Sequence, residues 1–325
     1  MVEADLIAWL LEPADPSARY LALTEVSGYA TSAPPLRIQG TTADALAAQA
    51  AIPGARPARA ILDAQYAGSG DVREPAGYWM KPDVGYSPKY RATTWQLLFL
   101  AQLGVPRIGP VRRACEYVLQ NSRQATDGRF IAGRSPHAAI DCLNGNMLWA
   151  LQWFGYGDDP RLAEARESTA DAIGRRGFAC RYNEDRPCGW GAIKVLRAFL
   201  DRSAERRSAA VQAAITQGTQ LLLSEVLPEA TQRTDSIFSK RWFELTFPLD
   251  YSSDLLEAMT VLALAGHARH ARVQGGVQWL LDKQDASGRW ALEHTPGKTW
   301  AGFGRKGLPN KWVTLRALRL LKIVG

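Results

Sequence analysis

The chain of 325 residues is poor in the features that would place it at once. It has four cysteines, too few for a disulfide scaffold at this length and in keeping with a reducing cytoplasm. No apolar run approaches the roughly 20 residues that span a bilayer. The opening stretch MVEADLIAWLLEPADPSARY carries early acids and a short apolar run, which does not read as a secretory signal. No block of like charge resembles a nucleic-acid arm, although the formal net charge is +7. Sustained Val/Ile/Thr alternation is missing, so strands are not expected. With 46% hydrophobic and 22% charged residues, the composition is that of a globular protein able to bury a large core.

What remains is a helical pattern that repeats. Five segments are dense in Leu and Ala nearly all round, as in helices packed on both sides: TTWQLLFLAQLG from Thr93, GNMLWALQWFGYG from Gly145, WGAIKVLRAFL from Trp190, DLLEAMTVLALAG from Asp254 and KWVTLRALRLLK from Lys311. Between them lie segments apolar on one face and charged on the other, such as VRRACEYVLQNSR, DPRLAEARESTADAIG and ARVQGGVQWLLDKQ. The N-terminal ADLIAWLL and SARYLALTEVSG, then ARPARAILDAQY, extend the alternation backwards. Six inner and six outer helices result, at roughly 45–65 residues per pair. Links into inner helices are long and rich in Gly, Pro, Trp and Tyr. Such an array closes most simply as one all-α, α/α toroid of about six helix hairpins over residues 1–325, its long links crowding one rim. Residues 1–57 read as a helical segment closing the barrel. There LLEPADPSARYLAL resembles a HEAT-type hairpin, with Asp15-Pro16 starting the second helix.

One outer segment runs on into a turn, GGVQWLLDKQDASGRW, Gly275 to Trp290. Its Gly276, Trp279, Leu280, Gln284, Gly288 and Trp290 resemble the QW repeat of squalene cyclases and their prenyltransferase relatives. Weaker copies keep Tyr117, Gly128 and Phe130, with Ser122 in place of Gln, and Gln65 with Trp79. In this reading Gln bonds orphan groups of a neighbouring helix end while Trp packs over the junction. The pair is a structural staple that speaks to fold, not chemistry. The resemblance covers roughly residues 58–325 and is greatest to short, single-toroid members of the superfamily.

The resemblance implies an isoprenoid-acting enzyme, either a terpene cyclase or a prenyltransferase-like protein. Class II cyclases protonate with the middle Asp of D-x-D-D, whose neighbours keep it protonated. That motif is absent. Asp158 and Asp159 in GYGDDP read as a helix cap. Asp141 in IDCLNGN stands where a cyclase acid would lie, with Leu143 and Asn144 in the slots of its partners; Asp250 and Asp254 in FPLDYSSD are the other candidate acids or bases. Cys142, Cys180 and Cys188 precede inner helices, where prenyltransferases hold zinc. The chain lacks their Asp-x-Cys pair, and His137 or His294 would have to complete a zinc site.

Basic residues mark the same rim: Lys89, Arg91, Lys240, Arg241, Lys298, Lys306 and Lys311. Lys89, Arg91 and Lys311 are expected to hold an anionic head such as a prenyl diphosphate. Tyr90, Trp95, Trp190, Tyr251 and Trp312 are expected to line a greasy centre able to stabilise a carbocation, and Asn144 is a further substrate-binding candidate. The expected ligand is a hydrophobic small molecule, with peripheral membrane contact and without nucleic acid or a transmembrane segment. The rival expectations are a non-catalytic toroid that binds a lipid or docks a partner, and a zinc-thiolate enzyme of another toroid class. A polar cluster buried in the centre would favour an enzyme.

Overall fold

The computed structural model describes residues 2–27, 40–65, 77–135, 138–226 and 240–325. Among them are thirteen α-helices and no strand, only isolated β-bridges between links. The protein is all-α. The helices are α1 (Val2–Leu10), α2 (Pro16–Leu21), α3 (Thr42–Ala51), α4 (Ala58–Asp63), α5 (Thr93–Gln102), α6 (Gly109–Asn121) and α7 (Asp141–Leu151). There follow α8 (Pro160–Arg176), α9 (Gly189–Leu200), α10 (Ala209–Leu221), α11 (Leu255–Leu262), α12 (Ala271–Leu281) and α13 (Lys311–Val324). No helix among the described residues is long and apolar enough to cross a membrane.

Two burial patterns separate the helices. Every residue of α5 is buried, and α7 buries all but Cys142. By contrast α6 buries only Val111, Ala114, Cys115, Val118 and Leu119, and α12 only Val273, Gly276, Val277 and Leu280. The second pattern is one stripe at helical spacing. The buried helices contact one another in order: α5 on α7, α7 on α9, α9 on α11, α11 on α13, and α13 on α2. Ser17 of α2 then donates to the Leu103 carbonyl at the end of α5 (2.8 Å), and Trp312 of α13 donates to Ser17 Oγ (2.9 Å). The neighbour relations thus return to their start. The striped helices α6, α8, α10 and α12 lie against α5, α7, α9 and α11.

The tightest approach is between α7 and α9, and Gly145 permits it. A Cβ at that position would overlap the Lys194 and Val195 backbone. Elsewhere local chemistry sets the helix starts. Asp15 caps α2 ahead of Pro16, and Asp159 caps α8 ahead of Pro160.

The joints between repeats correct the expected division of labour between Gln and Trp. The Trp290 indole donates to the Leu280 carbonyl at the end of α12 (2.7 Å), and its own N–H donates to Thr314 Oγ1 on α13 (3.1 Å). Trp79 repeats both bonds, to Ile61 of α4 (2.8 Å) and to Thr93 of α5 (3.1 Å). Phe130 has no indole, and Asn144 of α7 clamps its N–H and carbonyl instead (2.8 and 3.0 Å). All three rings are fully buried. A glycine in the left-handed region stands two residues before each: Gly77, Gly128 and Gly288. Gln284 only closes its own turn on Gly288 and is exposed, whereas Gln65 reaches the Pro110 carbonyl of α6 (3.1 Å). The aromatic ring, rather than the glutamine, is the staple common to these joints.

Candidate functional site

The links that precede α5, α9 and α11, with the link after α12, supply one cluster of side chains. Arg91 Nε donates to the Lys298 carbonyl (3.1 Å), its guanidinium lies over Trp300 (4.7 Å), and the Trp300 indole donates back to the Arg91 carbonyl (3.0 Å). The link after α12 also meets the one before α11, where Phe247 N–H donates to the His294 carbonyl (3.1 Å). Rings from these segments adjoin in series. Trp95 lies 5.0 Å from Tyr86, 5.3 Å from Tyr90 and 6.3 Å from Tyr251, and Trp190 lies 5.9 Å from Tyr251 and 6.2 Å from Trp242. The Lys89 ammonium sits over the Tyr251 ring at 4.0 Å. Tyr90 and Lys298 are both in the left-handed region (φ 67° and 57°), a conformation that bulky residues hold only when surroundings impose it.

Asp250 lies fully buried beside these rings. Its Oδ1 accepts the Ser252 N–H and hydroxyl, both at 2.7 Å. Its Oδ2 accepts no hydrogen bond, with Arg241 Nη2 3.6 Å away. The buried indole N–H of Trp190 is likewise without a partner. An unmet acceptor and an unmet donor near one set of rings are what a polar ligand group would satisfy, because buried polar atoms are otherwise nearly always paired. Burial, then the nearby Asp250 charge, pushes the Tyr90 phenol far up, so it stays protonated. Arg241 also meets the His294 ring. Burial, then that guanidinium, pushes the imidazole pKa down.

Further in, the buried helices carry charge. Lys194 of α9 is fully buried and pairs with Glu257 of α11 at 2.5 Å. Arg197 approaches the same carboxylate at 3.5 Å and lies over the Trp149 ring at 3.4 Å. Burial pushes the Lys194 pKa down, against the pull of Glu257. Glu257 Oε1 accepts no hydrogen bond. Asn146 of α7 donates to the Asp250 carbonyl (3.0 Å), which ties this layer to the aromatic cluster. The interior facing the rim is therefore polar and charged as well as aromatic, which differs from the greasy centre expected. Lys194, Glu257 and Arg197 were not singled out from the sequence. Their signal was there: lone charges inside WGAIKVLRAFL and DLLEAMTVLALAG, helices with no solvent face to receive them.

The other expected site residues divide. Lys89, Tyr90, Arg91, Trp95, Trp190, Tyr251, Lys298 and Asp250 come together. Lys311 does not join them: it pairs with Glu12 (2.8 Å) and Asp15 (3.7 Å), holding α13 to the turn between α1 and α2. Trp312 stacks on Phe247 and donates to Ser17, and Asn144 is spent on Phe130. Asp254 caps α11, accepts Thr246 N–H (2.9 Å) and makes a two-pronged pair with Arg316 (2.6 and 2.8 Å). Both oxygens are occupied, so it is a structural joint rather than an acid or base. Asp141 pairs with Arg176 at 2.5 Å. Burial pushes its pKa up, and Arg176 opposes the shift.

The two thiols of Cys180 and Cys188 act on each other, which holds Cys180 below its usual range, at about 6, and pushes Cys188 up. Burial, then Asp141 and Cys180, raises the Cys142 thiol. Among the described residues no three His, Cys, Asp or Glu side chains are grouped to hold a metal ion. His137 lies outside the described residues. Compared with known proteins, the chain matches no family model and no curated protein.

Proposed function

We propose that the protein is an α/α toroid enzyme acting on an isoprenoid chain, with the Trp95–Trp190–Tyr251 ring cluster holding the chain and Asp250 transferring the proton. The reading rests on one observation above the others: a fully buried carboxylate, one oxygen of which accepts no hydrogen bond and meets only Arg241 at 3.6 Å, set beside aromatic faces. Aromatic rings stabilise a passing carbocation through their quadrupoles, and a carboxyl in a water-poor site is a competent general acid or base. Lys89, Arg91 and Lys298 supply positive charge at the outer edge for a diphosphate head, without Lys311. The resemblance in the repeats supplies the substrate class, and the cycle of helix contacts supports the toroid.

The test is product formation from a panel of prenyl diphosphates, followed by mass spectrometry. Asp250→Asn should abolish the product, whereas Asp141→Asn should leave it. No product across the panel would sink the catalytic reading. A specific observation favours a second reading, a toroid that binds the lipid without turning it over. All three acids expected stand beside arginines: Asp141 and Asp254 at hydrogen-bond distance from Arg176 and Arg316, and Asp250 3.6 Å from Arg241.

A further inference from the structure

We propose that Cys180 and Cys188 form a disulfide-forming redox site on the hairpin that leads into α9, oxidised by a hydroperoxide. The inference is independent of the isoprenoid reading. Residues 178–188 fold back on themselves: Cys188 N–H donates to the Phe178 carbonyl (2.9 Å), Cys180 N–H donates to the Arg186 carbonyl (3.1 Å), and Ala179 bridges Pro187 in antiparallel fashion. Side chains alternate along extended chain, so positions 178, 180, 186 and 188 share a face and the two thiols sit diagonally across the hairpin. Each thiol is the strongest influence on the other's ionisation.

The turn makes the adjacency specific. Arg186 N–H closes on the Asn183 carbonyl (3.0 Å) with Glu184 and Asp185 both left-handed (φ 55° and 56°). That turn normally asks for Asn-Gly, and here neither central residue is glycine. Asn183 Nδ2 holds it with a bond to the Pro187 carbonyl (2.9 Å). Residues 181–187 are exposed and both cysteines are partly so, so an oxidant in solution reaches them. Cys115, fully buried on α6, is the internal contrast.

The chemistry balances with one co-reactant. The Cys180 sulfur attacks a peroxide oxygen, the O–O bond breaks, and water leaves with the thiol proton, giving a sulfenic acid. The Cys188 sulfur then attacks Cys180, the S–O bond breaks, a second water leaves and the S–S bond forms. Two thiols lose two electrons and two protons, and hydrogen peroxide becomes two waters.

The full chain, reduced and freed of reductant, is treated with hydrogen peroxide, alkylated and digested without reduction. The expected result is a cross-linked Cys180–Cys188 peptide pair, with free thiols falling from the four of the sequence to two and returning with dithiothreitol. Cys188→Ser should leave Cys180 as a sulfenic acid trapped by dimedone, and Cys180→Ser should leave Cys188 reduced. Circular dichroism of each variant reports whether the fold is kept. Should a variant unfold, the wild-type peptide map alone decides. A Cys180–Cys142 link, oxidation without any link, or four unreacted thiols would each overturn the assignment.

Discussion

Trp290 and Gln284 are six residues apart and do very different work. The Trp290 ring is fully buried and bonds the last turn of α12, whereas Gln284 bonds only its own turn. Trp290→Phe should lose the indole bond and part of the packing, costing about 1–3 kcal/mol, because it strands the Leu280 carbonyl. Gln284→Ala should stay within about 0.5 kcal/mol of wild type. Urea unfolding of the two variants checks this, and equal losses would restore the glutamine as staple. Asp254 gives a pH dependence at the same scale. Burial alone would push its carboxyl up, but Arg316 and the two backbone N–H groups outweigh it and hold the pKa below the usual range. A folded pKa below the unfolded one, about 3.9, stabilises fully above that value and loses the contribution as pH falls through the folded one. Arg316→Met, which leaves a buried carboxylate unpaired, should cost about 3–5 kcal/mol near pH 7. The difference from wild type should narrow below pH 4, and one that does not change with pH would contradict the assignment. Individual residues were the least legible in the sequence. Lys311 begins one buried helix and Asp250 lies just before another, and nothing in their neighbours says that one pairs with Glu12 while the other keeps an oxygen without a hydrogen bond.

Helices were read more securely, because burial writes itself into spacing. TTWQLLFLAQ has no polar face and becomes α5, buried throughout; VRRACEYVLQN has one apolar stripe and becomes α6. The links were less readable, since their geometry depends on side chains far away in sequence, as Arg91 bonding Lys298 shows. Helix contacts supply a prediction of their own. Gly145→Ala pushes a methyl into the Lys194 backbone and must part α7 from α9, disturbing the Lys194–Glu257 pair between them and α11. A loss of about 3 kcal/mol or more, or failure to fold, is expected from such overpacking. Gly174→Ala on α8 meets no atom within 4 Å and should stabilise by up to about 1 kcal/mol through helix propensity. Thermal melts that moved both variants the same way would mean the two helices are not held at this approach.

At the scale of the molecule, the N-terminal helices meet both ends of the series of buried helices. Ser17 is bonded to both α5 and α13, and Lys311 reaches Glu12 and Asp15. Contacts among the long links place Asp250 and the aromatic cluster together. The alternation of buried and striped helices was anticipated, while the charged layer of Lys194, Glu257 and Arg197 was not. The account stands on the claim that this cluster receives an isoprenoid. Trp95 and Trp190 lie in it, so the most direct measurement is tryptophan fluorescence during titration with a prenyl diphosphate, for wild type, Tyr251→Ala and Lys89→Ala. The account predicts a saturable change in wild type and affinity weakened about tenfold in each variant, about 1.4 kcal/mol. No saturable change, or equal affinity in all three proteins, would contradict it.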